Sequence, residues 1–142
     1  MFTHMQYLDA NFQKICPYCL EQFYSNHANR IYCDSKNGRM NYCKIHFDVQ
    51  IKALEESERN SIYSRSPNKE NYQRLFNIQV LDNNYRIGNR SISDEQFLQL
   101  NYDMLIFDKK EVYLQENFFT IQIGDFGMQW THDNKISITK KH

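Results

Sequence analysis

The feature that most constrains this chain is the placement of its four cysteines: Cys16-x2-Cys19, then Cys33, then Cys43, with none elsewhere. Two thiolates separated by two residues can grip one Zn²⁺ from a short backbone knuckle, and Cys33 and Cys43 lie close enough along the chain to complete a tetrahedron. We read Cys16, Cys19, Cys33 and Cys43 as the ligands of one structural Zn²⁺. His46 forms a second legal pair, Cys43-x2-His46, and His27 lies inside the loop. Four cysteines already fill a structural site, which leaves His46 as a spare or a substitute for one of them.

The residues around the cysteines carry a pattern of their own. Cys16-Pro17-Tyr18-Cys19 is followed by Phe23, then Tyr32-Cys33, then Tyr42-Cys43. This resembles a zinc-finger type found in small bacterial and phage proteins, treble-clef-like in arrangement, over residues 16–46 only. The resemblance implies a last ligand at a helix start, in a module that binds DNA, RNA or protein with no shared activity. The second pair here is separated by nine residues, Asp34 to Tyr42, a longer gap than the type usually has. Cys-Pro-Tyr-Cys is also the motif of glutaredoxins, which need a strand before it, a helix after it and a cis-proline strand downstream. Asn11 to Ile15 makes a poor strand, and the only other proline, Pro67, reads as a helix start. The metal reading is therefore preferred over the redox one.

Composition narrows the rest. A chain of 142 residues with ten Tyr and ten Phe has ample core material, and four Gly with two Pro do not favour disorder. Formal net charge is zero, against the basic excess that phosphate neutralisation asks of a free-standing nucleic-acid binder. Residues 1–46 carry five Lys/Arg against three Asp/Glu, an excess that four thiolates around Zn²⁺ would cancel. No apolar signal region opens the chain and no run reaches transmembrane length, so a cytoplasmic protein without membrane contact is expected, where metal is favoured over disulfide.

Along the chain, residues 1–46 read as irregular structure around the metal, with Phe23-Tyr24 and Tyr32 supplying short strands. Residues 44–82 read as helical: Phe47, Ile51 and Leu54 share one face, with Glu55, Glu56, Glu58 and Arg59 as the solvated end. Ser66 and Pro67 suit an N-cap and first position, and Tyr72, Leu75, Phe76 and Val80 mark the inner face of a second helix. Ser93 and Gln96 form a capping box, stapled by Ile92 and Phe97, for a short helix stopping near Asn101. Met104–Phe107, Val112–Leu114, Phe118–Ile123, Met128–Thr131 and Ile136–Thr139 are β-type runs, with Gly124 and Gly127 at one turn and Asp133-Asn134 at another. The expected architecture is α+β: a zinc-bound N-terminal subdomain over 1–46, then central helices and a C-terminal antiparallel β-meander over 47–142, packed as one compact unit.

No catalytic set emerges. Asn26-His27 invites comparison with His-metal nucleases, but His4, His27, His46, His132 and His142 form no array of open-site ligands. Asp125-Phe126-Gly127 matches a kinase metal motif without a Gly-rich loop, strand lysine or catalytic loop beside it, and reads as a bend with a buried Phe. Arg30, Lys36, Arg39 and Lys44 cluster with Tyr32 and Tyr42 around the cysteines, the combination that single-stranded nucleic acid or acidic partners use; Tyr85-Arg86 and Arg90 form a smaller loop group. Tyr113, Phe118, Phe119 and Trp130 offer a competing aromatic face, of which at least half is expected in the core. These features describe a non-enzymatic, zinc-stabilised interaction protein whose partner is a protein or a ribonucleoprotein, contacted through Arg30, Lys36, Arg39 and Lys44. Residue usage typical of AT-rich coding fits a low-GC genome or a phage; a phage or mobile-element accessory is expected, one concrete version being an inhibitor of a host defence nuclease such as a CRISPR effector, suggested by gene style and not by the residues. The alternative is a small zinc-finger regulator that binds DNA or RNA.

Overall fold

The computed structural model describes residues 13–25, 30–33, 41–59, 69–116, 118–130 and 134–141. Strands β1 (Gln13–Ile15) and β2 (Gln22–Tyr24) form an antiparallel hairpin with Ile15 opposite Gln22. Helices α1 (Tyr42–Arg59) and α2 (Lys69–Arg86) follow, then β3 (Ser91–Ser93) and the short α3 (Asp94–Gln99). Strands β4 (Lys109–Tyr113), β5 (Phe118–Ile123), β6 (Phe126–Trp130) and β7 (Lys135–Lys140) complete the described elements. The second sheet is antiparallel in the order β3-β7-β6-β5-β4: a β4-to-β7 meander with β3 added beside β7. The fold is thus α+β, with the cysteines at the N-terminal end. Among the described residues no helix is long and apolar enough to cross a membrane.

Helix α1 follows its pattern. Cys43, Phe47 and Ile51 are buried and Leu54 half-buried, one face at helical spacing. Helix α2 does not. Leu75, Phe76 and Val80 are buried as expected, but so are Ile78 and Leu81, and Tyr72 is 45% exposed with its hydroxyl donating to Asp48 Oδ1 at 3.1 Å. The reason is position. On one side Phe76 meets Phe47 of α1 edge-on at 4.9 Å. On another, Ile78 reaches the β5–β6 turn, where a Cβ on Gly124 would come within 3.0 Å of Ile78 Cδ1. A helix enclosed from several sides needs no single apolar stripe.

It also buries polar groups, and these organise the chain around it. Asn77, fully buried, donates to the carbonyls of Asp103 at 2.8 Å and Ile106 at 3.3 Å and accepts from Asp103 N–H at 3.1 Å. Asn77 thus grips Asp103 and the Ile106 carbonyl, and Leu105 and Ile106 N–H turn back to Asp103, so the strand expected over Met104–Phe107 is absent and a turn stands there. Arg74 is buried between Asp108, at 2.7 and 2.9 Å, and Glu58 of α1. Glu58, read from sequence as solvated, is therefore an ion-pair partner that ties the end of α1 to α2.

The third helix is capped as its sequence dictates. Gln96 N–H donates to Ser93 Oγ at 3.2 Å and Ser93 N–H donates to Gln96 Oε1 at 3.0 Å, the reciprocal bonds of a capping box. Ile92 and Phe97, the expected staple, are both buried. The helix stops through Asn101 at φ +62, where Tyr102 N–H returns to Phe97 O at 3.2 Å and the two rings meet at 5.0 Å.

Several local expectations are corrected. Gln13–Ile15 is a strand because β2 pairs with it, despite weak propensity. Tyr32 is in no strand; it packs its ring on Phe47 at 6.0 Å. Ser91–Ser93 is a strand, since β7 offers it an edge. Gly127 lies within β6, so the β5–β6 turn is Gly124-Asp125 alone, with Gly124 at φ +56. Asn134 at φ +59 has the conformation expected of a hairpin residue; Asp133 beside it, and Ser66 and Pro67, lie outside the described residues.

Candidate metal centre

The knuckle is built by the hairpin. Cys16 follows β1 directly; its N–H donates to Glu21 O at 2.9 Å and its carbonyl accepts from Leu20 N–H at 2.8 Å. These bonds curl Cys16–Glu21 tightly enough to aim two thiols inward. Leu20 adopts φ +64 to make the turn, a conformation that costs a side-chain-bearing residue about 1–2 kcal/mol and that something nearby must offset. Because Cys-Pro-Tyr-Cys joins two antiparallel strands, the strand–helix setting of a glutaredoxin is not present. Asn83 of α2 donates to the Pro17 carbonyl at 3.1 Å and fastens the knuckle to the helical core. Cys43 sits in the first turn of α1, where the finger resemblance places a last ligand, just after Asn41 at φ +58. Cys33 is delivered by Ile31 and Tyr32, both packed against the core.

The four sulfurs converge within 4.8 Å of one another. Cys19 Sγ lies 3.7 Å from Cys33 Sγ, and Cys33 Sγ lies 3.5 Å from Cys43 Sγ. A tetrahedron with Zn–S bonds of about 2.3 Å has edges of about 3.8 Å, so the spacing fits one Zn²⁺. A disulfide is far shorter, and all four cysteines are free. Cys16 and Cys43 are buried at 0% and 1% exposure, while Cys19 and Cys33 are partly exposed. The site is therefore closed on one side and reachable on the other.

Electrostatics show what the cluster lacks by itself. Burial pushes the Cys19 thiol up to about 12, helped by the neighbouring Cys16 charge and by hydrogen bonds that the Cys19 S–H donates to Cys16 and Cys33. Burial likewise raises Cys43, with Cys33, Cys16 and Cys19 adding to the shift. Cys16 moves the other way: burial opposes its charge, but backbone N–H groups of Cys19, Cys33 and Tyr18 outweigh that and hold it below the ordinary thiol value. One thiolate, Cys16, is stabilised, while Cys19 and Cys43 are kept protonated mainly by burial and further by the charge beside them. A divalent cation removes that conflict and deprotonates the rest.

The other sequence candidates fall differently. His46 is not among the converging ligands; its ring stacks on Tyr18 at 5.7 Å and lies against Tyr42 at 4.2 Å. Arg30 is braced, donating from Nε to Tyr32 O at 3.1 Å with its guanidinium over the Phe23 ring at 5.6 Å. Lys44 is exposed on α1. Lys36, Arg39 and His27 lie outside the described residues. Arg90 covers the Tyr85 ring at 3.8 Å and Arg86 pairs with Asp82, with Tyr85 and Arg86 in the last turn of α2, not in a loop.

The aromatic face is more open than expected. Of Tyr113, Phe118, Phe119 and Trp130 none is buried: Tyr113 stacks on Phe118 at 4.7 Å and Phe119 on Trp130 at 4.3 Å, at the end of the sheet that carries exposed Val112 and Leu114. Ile121, Ile123, Met128, Ile136 and Ile138 form the buried face of the sheet; Phe119 and Trp130 pack partly against that core, while Tyr113 and Phe118 lie beyond it.

Sequence reasoning missed a second apolar stripe on α1. Ile45 and Val49 are 55% and 59% exposed, one turn apart, and Tyr42 and His46 continue the same face beside Tyr18 of the knuckle. The signal was present: Tyr42, Ile45, His46 and Val49 stand at i, i+3, i+4 and i+7, the same periodicity that marks Phe47 and Ile51. No family model, no curated protein and no solved structure matches the chain.

Proposed function

We propose that the chain is a non-enzymatic interaction protein in which one structural Zn²⁺ fixes the N-terminal end of α1, and that the outward stripe of α1 docks on a protein or ribonucleoprotein. The observation that carries this reading is the exposure of Ile45 and Val49 on the helix that also supplies Cys43. Apolar residues one turn apart cost solubility unless they meet a partner, and interface centres draw on such aliphatic and aromatic groups. The metal holds Tyr18 against Tyr42 and His46, so the surface is ordered before the partner arrives and little entropy is lost on binding. Lys44, exposed beside the stripe, adds a cation at its rim.

Residue usage typical of AT-rich coding fits a low-GC genome or a phage, and the wider proposal is a phage or mobile-element accessory, with inhibition of a host defence nuclease such as a CRISPR effector as one concrete version that the residues do not themselves single out. The test is affinity capture from the native host with wild-type protein and with an Ile45→Glu/Val49→Glu variant, then reconstitution with the partner identified by mass spectrometry. A purified partner that binds wild type and not the folded, zinc-containing variant supports the reading. Binding to naked RNA or DNA with a steep salt dependence, unchanged in that variant, overturns it in favour of a zinc-finger nucleic-acid regulator.

A further inference from the structure

We propose that Cys19 and Cys33 form an oxidative modification site, at which a peroxide converts two zinc thiolates to a disulfide and expels the metal. The inference rests on the zinc reading above. Three observations carry it. Cys19 and Cys33 are the two partly exposed members of the cluster, while Cys16 and Cys43 are buried, so an oxidant from solvent meets the former pair. Their sulfurs are 3.7 Å apart, close enough for one to attack the other once oxidised. And they belong to separate segments: Cys19 ends the knuckle, whereas Cys33 follows Tyr32 far along the chain, so a bond between them ties together pieces that the metal otherwise joins.

The chemistry balances. One thiolate attacks hydrogen peroxide, forming a sulfenic acid and releasing hydroxide. The second thiolate attacks the sulfenic sulfur, the S–S bond forms, and a second hydroxide leaves; two protons from solvent convert both to water. Two sulfur atoms are oxidised by one equivalent each and both peroxide oxygens are reduced. Only Cys16 and Cys43 then remain as thiolate ligands, half of the four-coordinate set that a structural zinc needs. The metal leaves, Tyr18 loses its fixed position against Tyr42 and His46, and the α1 surface loosens. A thiol reductant with Zn²⁺ reverses the change.

The experiment treats the zinc-loaded full-length protein with hydrogen peroxide, follows free zinc with a colorimetric chelator, and maps disulfides by non-reducing peptide mass spectrometry. Zinc release in step with a Cys19–Cys33 disulfide, both reversed by dithiothreitol and Zn²⁺, is the expected result. Because Cys19→Ser can lose metal outright, Cys19→His is the companion variant: it keeps a legal ligand but cannot close the disulfide. It should hold zinc and lose peroxide-driven release. Zinc retained through peroxide treatment, or a disulfide mapped to Cys16–Cys43 or Cys33–Cys43, overturns the inference while leaving the zinc reading intact. Untreated protein without zinc defeats the zinc reading itself and this inference with it.

Discussion

Residues 13–33 bury little: among the described ones the closed positions are Ile15, Cys16, Pro17 and Ser25. Helix α2 and the sheet bury Leu75, Phe76, Ile78, Val80, Leu81, Ile121, Ile123, Met128, Ile136 and Ile138, and cross-link them with Asn77 and Arg74. The first region has few buried anchors, Ile15 and the Asn83–Pro17 bond among them, and a left-handed turn at Leu20; the second has many. A segment too short to offset its own chain entropy with apolar area needs a staple, and four convergent sulfurs supply a site for one. The two regions should therefore fail differently.

The largest effect is expected at the staple. Zinc binding in isolated fingers is worth about 10–16 kcal/mol, and that energy is folding energy. Cys16→Ser, or removal of metal by a chelator, should unfold the knuckle while the sheet persists. Amide hydrogen exchange checks this: protection lost at Gln13–Tyr24 and kept at Phe118–Lys140. His46→Ala should retain zinc where Cys43→Ser does not, since His46 is committed to Tyr18 and Tyr42. The reverse order would move the fourth ligand to His46.

In the distributed core single losses are smaller but global. Phe47→Ala removes a fully buried ring stacked edge-on against Phe76 and should cost about 3–5 kcal/mol by urea unfolding. Arg74→Ala removes the guanidinium between Glu58 and Asp108, which keeps its bond from Gly124 N–H, and should cost about 1–3 kcal/mol, lowering the midpoint of helix and sheet together. A variant that melts one without the other would show that the core is less shared than described.

Next comes pH. In the metal-free cluster the Cys19 thiol, held up mainly by burial, keeps its proton to about 12, and Cys43 is raised in the same direction. Zinc must displace those protons, so its affinity rises with pH and falls on acidification, by about tenfold per pH unit for each proton displaced. Competition with a chromophoric chelator between about pH 6 and about pH 8 measures the slope. A flat profile would mean that the ligands are not protonated thiols.

The smallest effect is local. Ser93→Ala removes the acceptor of the Gln96 N–H bond and should cost about 1 kcal/mol with zinc content unchanged. If the melting midpoint stays put while partner binding is lost, Ser93 is a contact residue as well as a cap.

What could be read from sequence was whatever is encoded over a few residues. The Cys16-x2-Cys19 pair, the Ser93–Gln96 box and the alternation at Ile121/Ile123 and Ile136/Ile138 are each local in sequence, and each is found where expected. What could not be read depends on distant partners. Asn83 looks like a surface residue until Pro17 is beside it, and Met104–Phe107 looks like a strand until Asn77 and Asp103 hold it as a turn. Ser91–Ser93 carries too little pattern to announce a strand and becomes one because β7 has a free edge. At the candidate site the cysteine cluster is legible from spacing, whereas the α1 stripe is harder to see because one helix carries two apolar faces and the core face is the stronger pattern.

The most direct test is X-ray absorption at the zinc edge of purified protein, paired with metal analysis. One zinc per chain with a first shell of four sulfurs at about 2.3 Å is the expected result. Protein that carries no zinc and a Cys16–Cys19 disulfide, or a shell containing a nitrogen at about 2.0 Å, would contradict it.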